Sequence, residues 1–152
     1  MGVALSSALI AGLAAVSALL AGHHANEAML EQIQAANRWS YYQAKSIKKN
    51  VVESKIETLA ALGKSVEPEE QARIAKYDKE LEEIKKQAEE RENASHAHLH
   101  KHETYARGVT MFQVAIAVAA IAVLTKLRSF WWVGLGFSLI GVCFSIQAYL
   151  SH

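Results

Sequence analysis

The chain has 152 residues, with 16 Lys+Arg against 15 Asp+Glu, 51% apolar residues and one cysteine. That length has room for one unit. A formal charge of +1 excludes the basic field of a nucleic-acid platform, and the lone Cys143 cannot close an intrachain disulfide. Charge is instead partitioned along the chain. Every acidic residue lies between Glu27 and Glu103, whereas residues 2–22, 108–125 and 130–150 carry no charged side chain.

Residues 2–22 form the first apolar segment, long enough to cross a bilayer core of roughly 30 Å at about 1.5 Å per residue. No positive n-region precedes it and its apolar run exceeds a signal core, so it is expected to stay as a membrane helix. Ala4, Ala8, Ala11, Ala15, Ala18 and Gly22 repeat on one face. In lipid, close approach through small residues is the main route to helix association. This face is therefore expected to pack, within the chain, between copies or against other subunits.

Residues 23–107 are nearly free of helix breakers. Gly63 and the only proline, Pro68, followed by Glu69 and Glu70, read as a helix end, a turn at 63–68 and the acid-rich start of a second helix. The segment thus reads as an extramembrane, coiled-coil-like helical hairpin. In its second arm Ile74, Tyr77, Leu81, Ile84, Ala88, Arg91, Ser95, His98, His102 and Tyr105 keep a 3,4 spacing, which Val109 and Phe112 extend. The first arm has one stripe of Ile33, Ala36, Ala44, Ile47 and Val51, and a shifted one of Val52, Ile56 and Leu59.

Residues 108–125 and 130–150 complete three transmembrane segments, so the fold class is an all-α membrane protein. Ala115, Ala119 and Ala122 mark one face of the second segment, and Gly134, Ser138, Gly141, Ser145 and Ala148 one face of the third. Lys126 and Arg128 sit in the short loop between them, and the positive-inside rule assigns that loop to the cytoplasm and the hairpin to the other side. Lys101, Arg107 and Arg38 argue the opposite way. Trp131 and Trp132 suit one interfacial belt, Tyr105 and Tyr149 the other.

Three groups of residues could carry function. Folding the hairpin gathers His23 and His24 with His96, His98, His100 and His102, and three crossings return His152 to the same surface. His98 and His102, and separately His96 and His100, are i,i+4 pairs, a spacing from which two imidazoles reach a transition metal or flank a haem, and His23, His24, His98 and His102 are the candidate ligands. The same residues also read as a solvated collar that charges near pH 6. The aromatic run holds Arg38, Trp39, Tyr41, Tyr42 and Lys45, in which Arg38 can lie over Tyr42 and Tyr41 beside Lys45. It reads equally as a partner anchor or as packing against the region of Glu89 and Arg91. Finally Ser17, Gln113 and Gln147 fall at one depth and are expected to form a buried hydrogen-bonded layer. No nucleophile–base pair or phosphate-binding glycine loop occurs, so the chain is not read as an enzyme.

The run Trp39-Ser40-Tyr41-Tyr42-Gln43-Ala44-Lys45-Ser46-Ile47-Lys48 resembles the signature of an uncharacterised membrane-protein family, domain of unknown function 4337. The likeness continues through the histidine-rich 96–102 and through Phe112–Ala117 to Leu124–Arg128 and Trp131-Trp132. The resemblance implies a bacterial inner (cytoplasmic) membrane protein and no activity. The expected function is a structural or accessory membrane protein, assembling through its hairpin and small-residue faces into a homo-oligomer or a larger complex. Its partners would be lipid and other subunits. Alternative readings are a metal- or haem-binding membrane protein using the histidines, and a multi-copy pore.

Overall fold

The computed structural model describes residues 2–151 and contains three helices, α1 (Gly2–Ala61), α2 (Pro68–Thr125) and α3 (Arg128–Leu150). No strand occurs among the described residues. Each helix contains a stretch long and apolar enough to cross a membrane. Contacts divide the chain into two compact units, Met1–Met29 with His96–His152, and Leu30–Ser95, where length alone led us to expect one.

The break after α1 is built by glycine. Gly63 takes φ of 68°, a left-handed conformation that costs other residues about 1–2 kcal/mol. Lys64 N–H then donates to Leu59 O at 2.9 Å and Gly63 N–H to Ala60 O at 3.0 Å, the paired bonds of a Schellman cap. Pro68 opens α2 where its missing N–H costs nothing.

In the unit of residues 30–95, α1 and α2 pair antiparallel. Lys55–Glu70 (2.6 Å), Lys49–Asp78 (2.6 Å), Lys45–Glu80 and Arg91–Glu31 (3.0 Å) descend one helix as they climb the other. Leu81, Ile84 and Ala88 of the 3,4 repeat are buried, Ile74 and Tyr77 half-buried, and Arg91 stays exposed on its ion pair. On α1 the stripe turned to α2 is Glu31, Ala35, Trp39, Tyr42, Lys49, Val52, Ile56 and Leu59. The stripe of Ile33, Ala36, Ala44, Ile47 and Val51 is exposed instead. At about 100° per residue it lies on the opposite side of α1.

In the unit of residues 2–29 and 96–151 all three helices meet. The repeat continues along α2 through buried Tyr105, Phe112, Ala115, Ala119 and Ala122. Against it pack the buried Gly134, Ser138, Gly141 and Ala148 and the half-buried Ser145 of α3. The backbones nearly touch. A Cβ on Gly134 would lie 3.1 Å from Ala115 O, one on Gly108 3.2 Å from Gly141 O, and one on Gly141 2.8 Å from the Phe112 ring. From α1, Ile10 joins Phe112 and Ala115, and Ala21 joins Tyr105 and Ala148.

One sequence reading needs correction here, and one face of α1 stays uncovered. Within the chain α1 packs through Ile10, Ser17 and Ala21, and Ala8, Ala11 and Ala15 are left exposed, a face open to a second copy, another subunit or lipid. Alanines occur on every side of this helix, so their spacing carries little information; the serines that find partners select the face. Gln113 and Gln147 are exposed rather than layered with Ser17. Each stands one residue from a seam position, Phe112 or Ala148, and so points about 100° away from it. Ser17 instead meets Ser145, Oγ to Oγ at 3.0 Å.

This packing predicts opposite outcomes at two glycines of α3. Gly141→Ala drives a methyl into Phe112 and should cost about 1–3 kcal/mol. Gly136→Ala meets nothing within 4 Å and should stabilise by about 0.5–1 kcal/mol through helix propensity. Thermal unfolding of the detergent-solubilised variants measures both, and equal shifts would contradict the interlock.

Candidate functional sites

The histidines sit where α1 and α2 approach within the three-helix unit. His24 Nδ1 and His98 Nδ1 face each other at 3.0 Å, their ring centroids 5.3 Å apart. In a neutral pair one nitrogen donates and the other accepts. Tyr105, expected at an interfacial belt, is buried and stacks on His24 at 5.8 Å. His23 lies beside His24, with centroids 5.3 Å apart. His102 is turned away, its Nδ1–H donating to Ala21 O at 2.8 Å. Thus His24 and His98 meet, His23 flanks them, and His102 is used within the packing. His96 and His100 are exposed, and His152 lies outside the described residues. No cluster of three or more metal-ligating side chains forms among the described residues.

His24 is held below its ordinary value of 6.5, first by burial, then by His98, His23 and Lys101, with Glu27 opposing. Protonating both partners would set N–H against N–H and break the contact.

The aromatic run divides between the two sides of α1. Lys45 pairs with Glu80, which holds the ammonium above its ordinary value and the carboxyl below its own. Its Nζ stands 5.7 Å from the Tyr41 ring centre and 5.3 Å from that of Tyr77. Trp39 meets Tyr42 edge-on at 5.6 Å, and both are half-buried. The Arg38–Tyr42 stack does not form, and Arg38 and Tyr41 are exposed. On α2, Lys45 meets Tyr77 and Glu80, and Tyr42 lines a surface groove with Leu81, Glu82 and Lys85. Tyr77 came into view only as a seam residue; the charged partner Glu80 had no distinguishing mark.

At the other end of the three-helix unit, Lys126 connects α2 to α3 with φ of 58°. A lysine held left-handed costs about 1–2 kcal/mol where glycine would be comfortable. Trp131 Nε1–H donates to Ser6 Oγ at 3.1 Å, and Trp132 is exposed.

The architecture defines an all-helical protein, among the described residues, with three helices long and apolar enough to cross a membrane. The chain belongs to the family described as Domain of unknown function (DUF4337), which matches residues 1–151. No curated protein and no solved structure matches it.

The histidine pair predicts a pH dependence. Above about pH 6.5 His24 is neutral whether folded or unfolded, and its contribution is constant. As pH falls through 6.5 the unfolded chain takes the proton first, so stability drops until the depressed folded value is passed, and is level below it. Hydrogen exchange around residues 21–28 and 98–105 should therefore be faster relative to intrinsic rates at pH 5.5 than at pH 7.5. His24→Gln should shrink that difference; an unchanged difference would count against the assignment.

Proposed function

We propose that this chain is a non-catalytic structural or accessory protein of the bacterial inner membrane. It crosses three times and presents residues 23–107 as a helical hairpin, on the periplasmic side. Three apolar spans with no Asp, Glu, Lys or Arg support the crossing. The family resemblance supports the bacterial setting, and Lys126 and Arg128 beside the α2–α3 turn support the orientation.

One observation carries the assembly reading. Leu30, Ile33, Ile47 and Val51 are 50–64% exposed on the side of α1 turned away from α2. Tyr41 flanks the stripe, 49% exposed. On a water-facing helix such a row is unfavourable unless another surface covers it. The occupant proposed is a second copy of this chain or a neighbouring subunit. The solubilised protein should then have a mass above the 16.7 kDa of one chain. Ile47→Asp with Val51→Asp should weaken assembly about tenfold or more, because a charge would be buried unpaired. Light scattering with circular dichroism reads both effects. A wild-type particle of one chain removes the proposal.

The facing nitrogens of His24 and His98 favour a second reading, a transition-metal site. Their separation is near that of two imidazoles sharing one ion at about 2.0–2.1 Å per bond. It leaves no gap between those nitrogens for a haem plane. Stoichiometric zinc or copper in purified material, lost in His98→Ala, would support it. Metal-free material with no uptake would end it.

A further inference from the structure

We propose that the cleft at the α2–α3 connection binds the anionic headgroup of a membrane phospholipid. The cleft is open to the surface, has a volume of about 470 Å³ and is lined by Gly2, Val3, Ala122, Lys126, Leu127, Arg128 and Trp131. Two cations thus stand in a wall that is otherwise apolar.

Neither cation meets a carboxylate among the described residues. Lys126 and Arg128 form no ion pair among the described residues, whereas Arg107 of the same unit pairs with Glu103 at 3.9 Å. The distribution of carboxylates makes this unavoidable. No acidic residue lies outside 27–103, and Glu103 precedes Thr125 by 22 residues of continuous helix. That separation is about 33 Å at 1.5 Å per residue, several times the screening length of about 8 Å. No Asp or Glu side chain of the chain is placed to neutralise the two cations.

The shape of the wall narrows what neutralises them. Trp131 is fixed by its hydrogen bond to Ser6, and Val3, Ala122 and Leu127 offer no polar side chain. Such a surface suits an amphiphile, with its phosphate against Lys126 and Arg128 and its chain against the apolar residues. Arg128 can hold two phosphate oxygens at once, and Lys126 supplies a point charge. The left-handed backbone at Lys126 keeps a cation at a position that favours glycine. A free phosphate would use the cations alone; the apolar wall argues for the lipid.

This inference rests on the membrane reading, so the test separates the two. The full chain in neutral detergent is titrated with dioleoyl-phosphatidylglycerol and dioleoyl-phosphatidylcholine, and adducts are counted by native mass spectrometry. Phosphatidylglycerol should be preferred about tenfold. K126Q/R128Q should lose most of that preference, each cation near an anionic surface contributing roughly fivefold. K126R/R128K should retain it, and K101Q, the same loss of charge at the far end of the unit, should not change it. An unchanged preference in K126Q/R128Q, or an equal loss in K101Q, overturns the site. Displacement of the lipid by millimolar inorganic phosphate overturns the choice of a lipid. Extraction of the wild-type chain from membranes by alkaline carbonate would instead sink the membrane reading. Retention without any lipid preference sinks this inference alone.

Discussion

The contact on which the three-helix unit depends is the seating of Phe112 against Gly141. The Phe112 ring is the largest side chain fully buried, and it occupies the volume that any Cβ on Gly141 would need. This fixes the axial register of α3 on α2 at one value, because Gly108 and Gly134 come close to backbone at matching positions on either side. Once that register is set, Ser145 falls opposite Ser17, Ala148 beside Tyr105, and Trp131 beside Ser6. Each contact of α1 is therefore a consequence of a match already made between its two neighbours. In a bilayer, dispersion and close packing would supply the attraction, since there the hydrophobic effect gives helices no reason to prefer one another over lipid.

The unit of residues 30–95 solves the same geometric problem with charge. The α2 seam is apolar, but α1 meets it with Lys45 and Lys49 as well as Val52, Ile56 and Leu59. The lysines swing across to Glu80 and Asp78, laying their methylene stems over the seam. Lys55 reaches Glu70, which is buried in the first turn of α2, where the helix end favours a carboxylate. Its Oε1 is bonded at 2.6 Å, its Oε2 has no partner, and Lys55 holds the group below the ordinary carboxylate range. Because polar residues do this work inside, the aliphatic stripe of α1 is left outside.

The helical class and the α2 seam were legible because both rest on strong periodicity. A 3,4 repeat running from Ile74 to Phe112 has only one helical interpretation, and Gly63 and Pro68 have few others. The inner face of α1 was not legible. Between residues 2 and 22 alanine and leucine occur on all sides, so no stripe stands out until Ser17 and Ser6 have partners on α3. Between residues 30 and 61 the most apolar stripe is the one facing away, which inverts the usual inference from hydrophobicity to burial. The meeting of His24 with His98 followed from bringing two helix segments together, but the diversion of His102 to Ala21 O did not. A backbone carbonyl leaves no trace in sequence. Lys126 and Arg128 read first as a topological signal, and only their place in a cleft with Trp131 suggested a ligand.

The connection between α2 and α3 also bears on the order in which the bundle can form. Two residues, Lys126 and Leu127, separate these helices, and Gly134 meets Ala115 only 19 positions away. Ser17 and Ser145 are 128 positions apart. Closing the longer loop costs on the order of 1.5–2 kcal/mol more chain entropy than closing the shorter. Local pairing of this kind forms early in most chains. A nascent chain would thus seat Gly134 on Ala115 before Ser17 finds Ser145, while the Gly63 turn, which sets Lys55 against Glu70 only 15 positions on, closes as early as either.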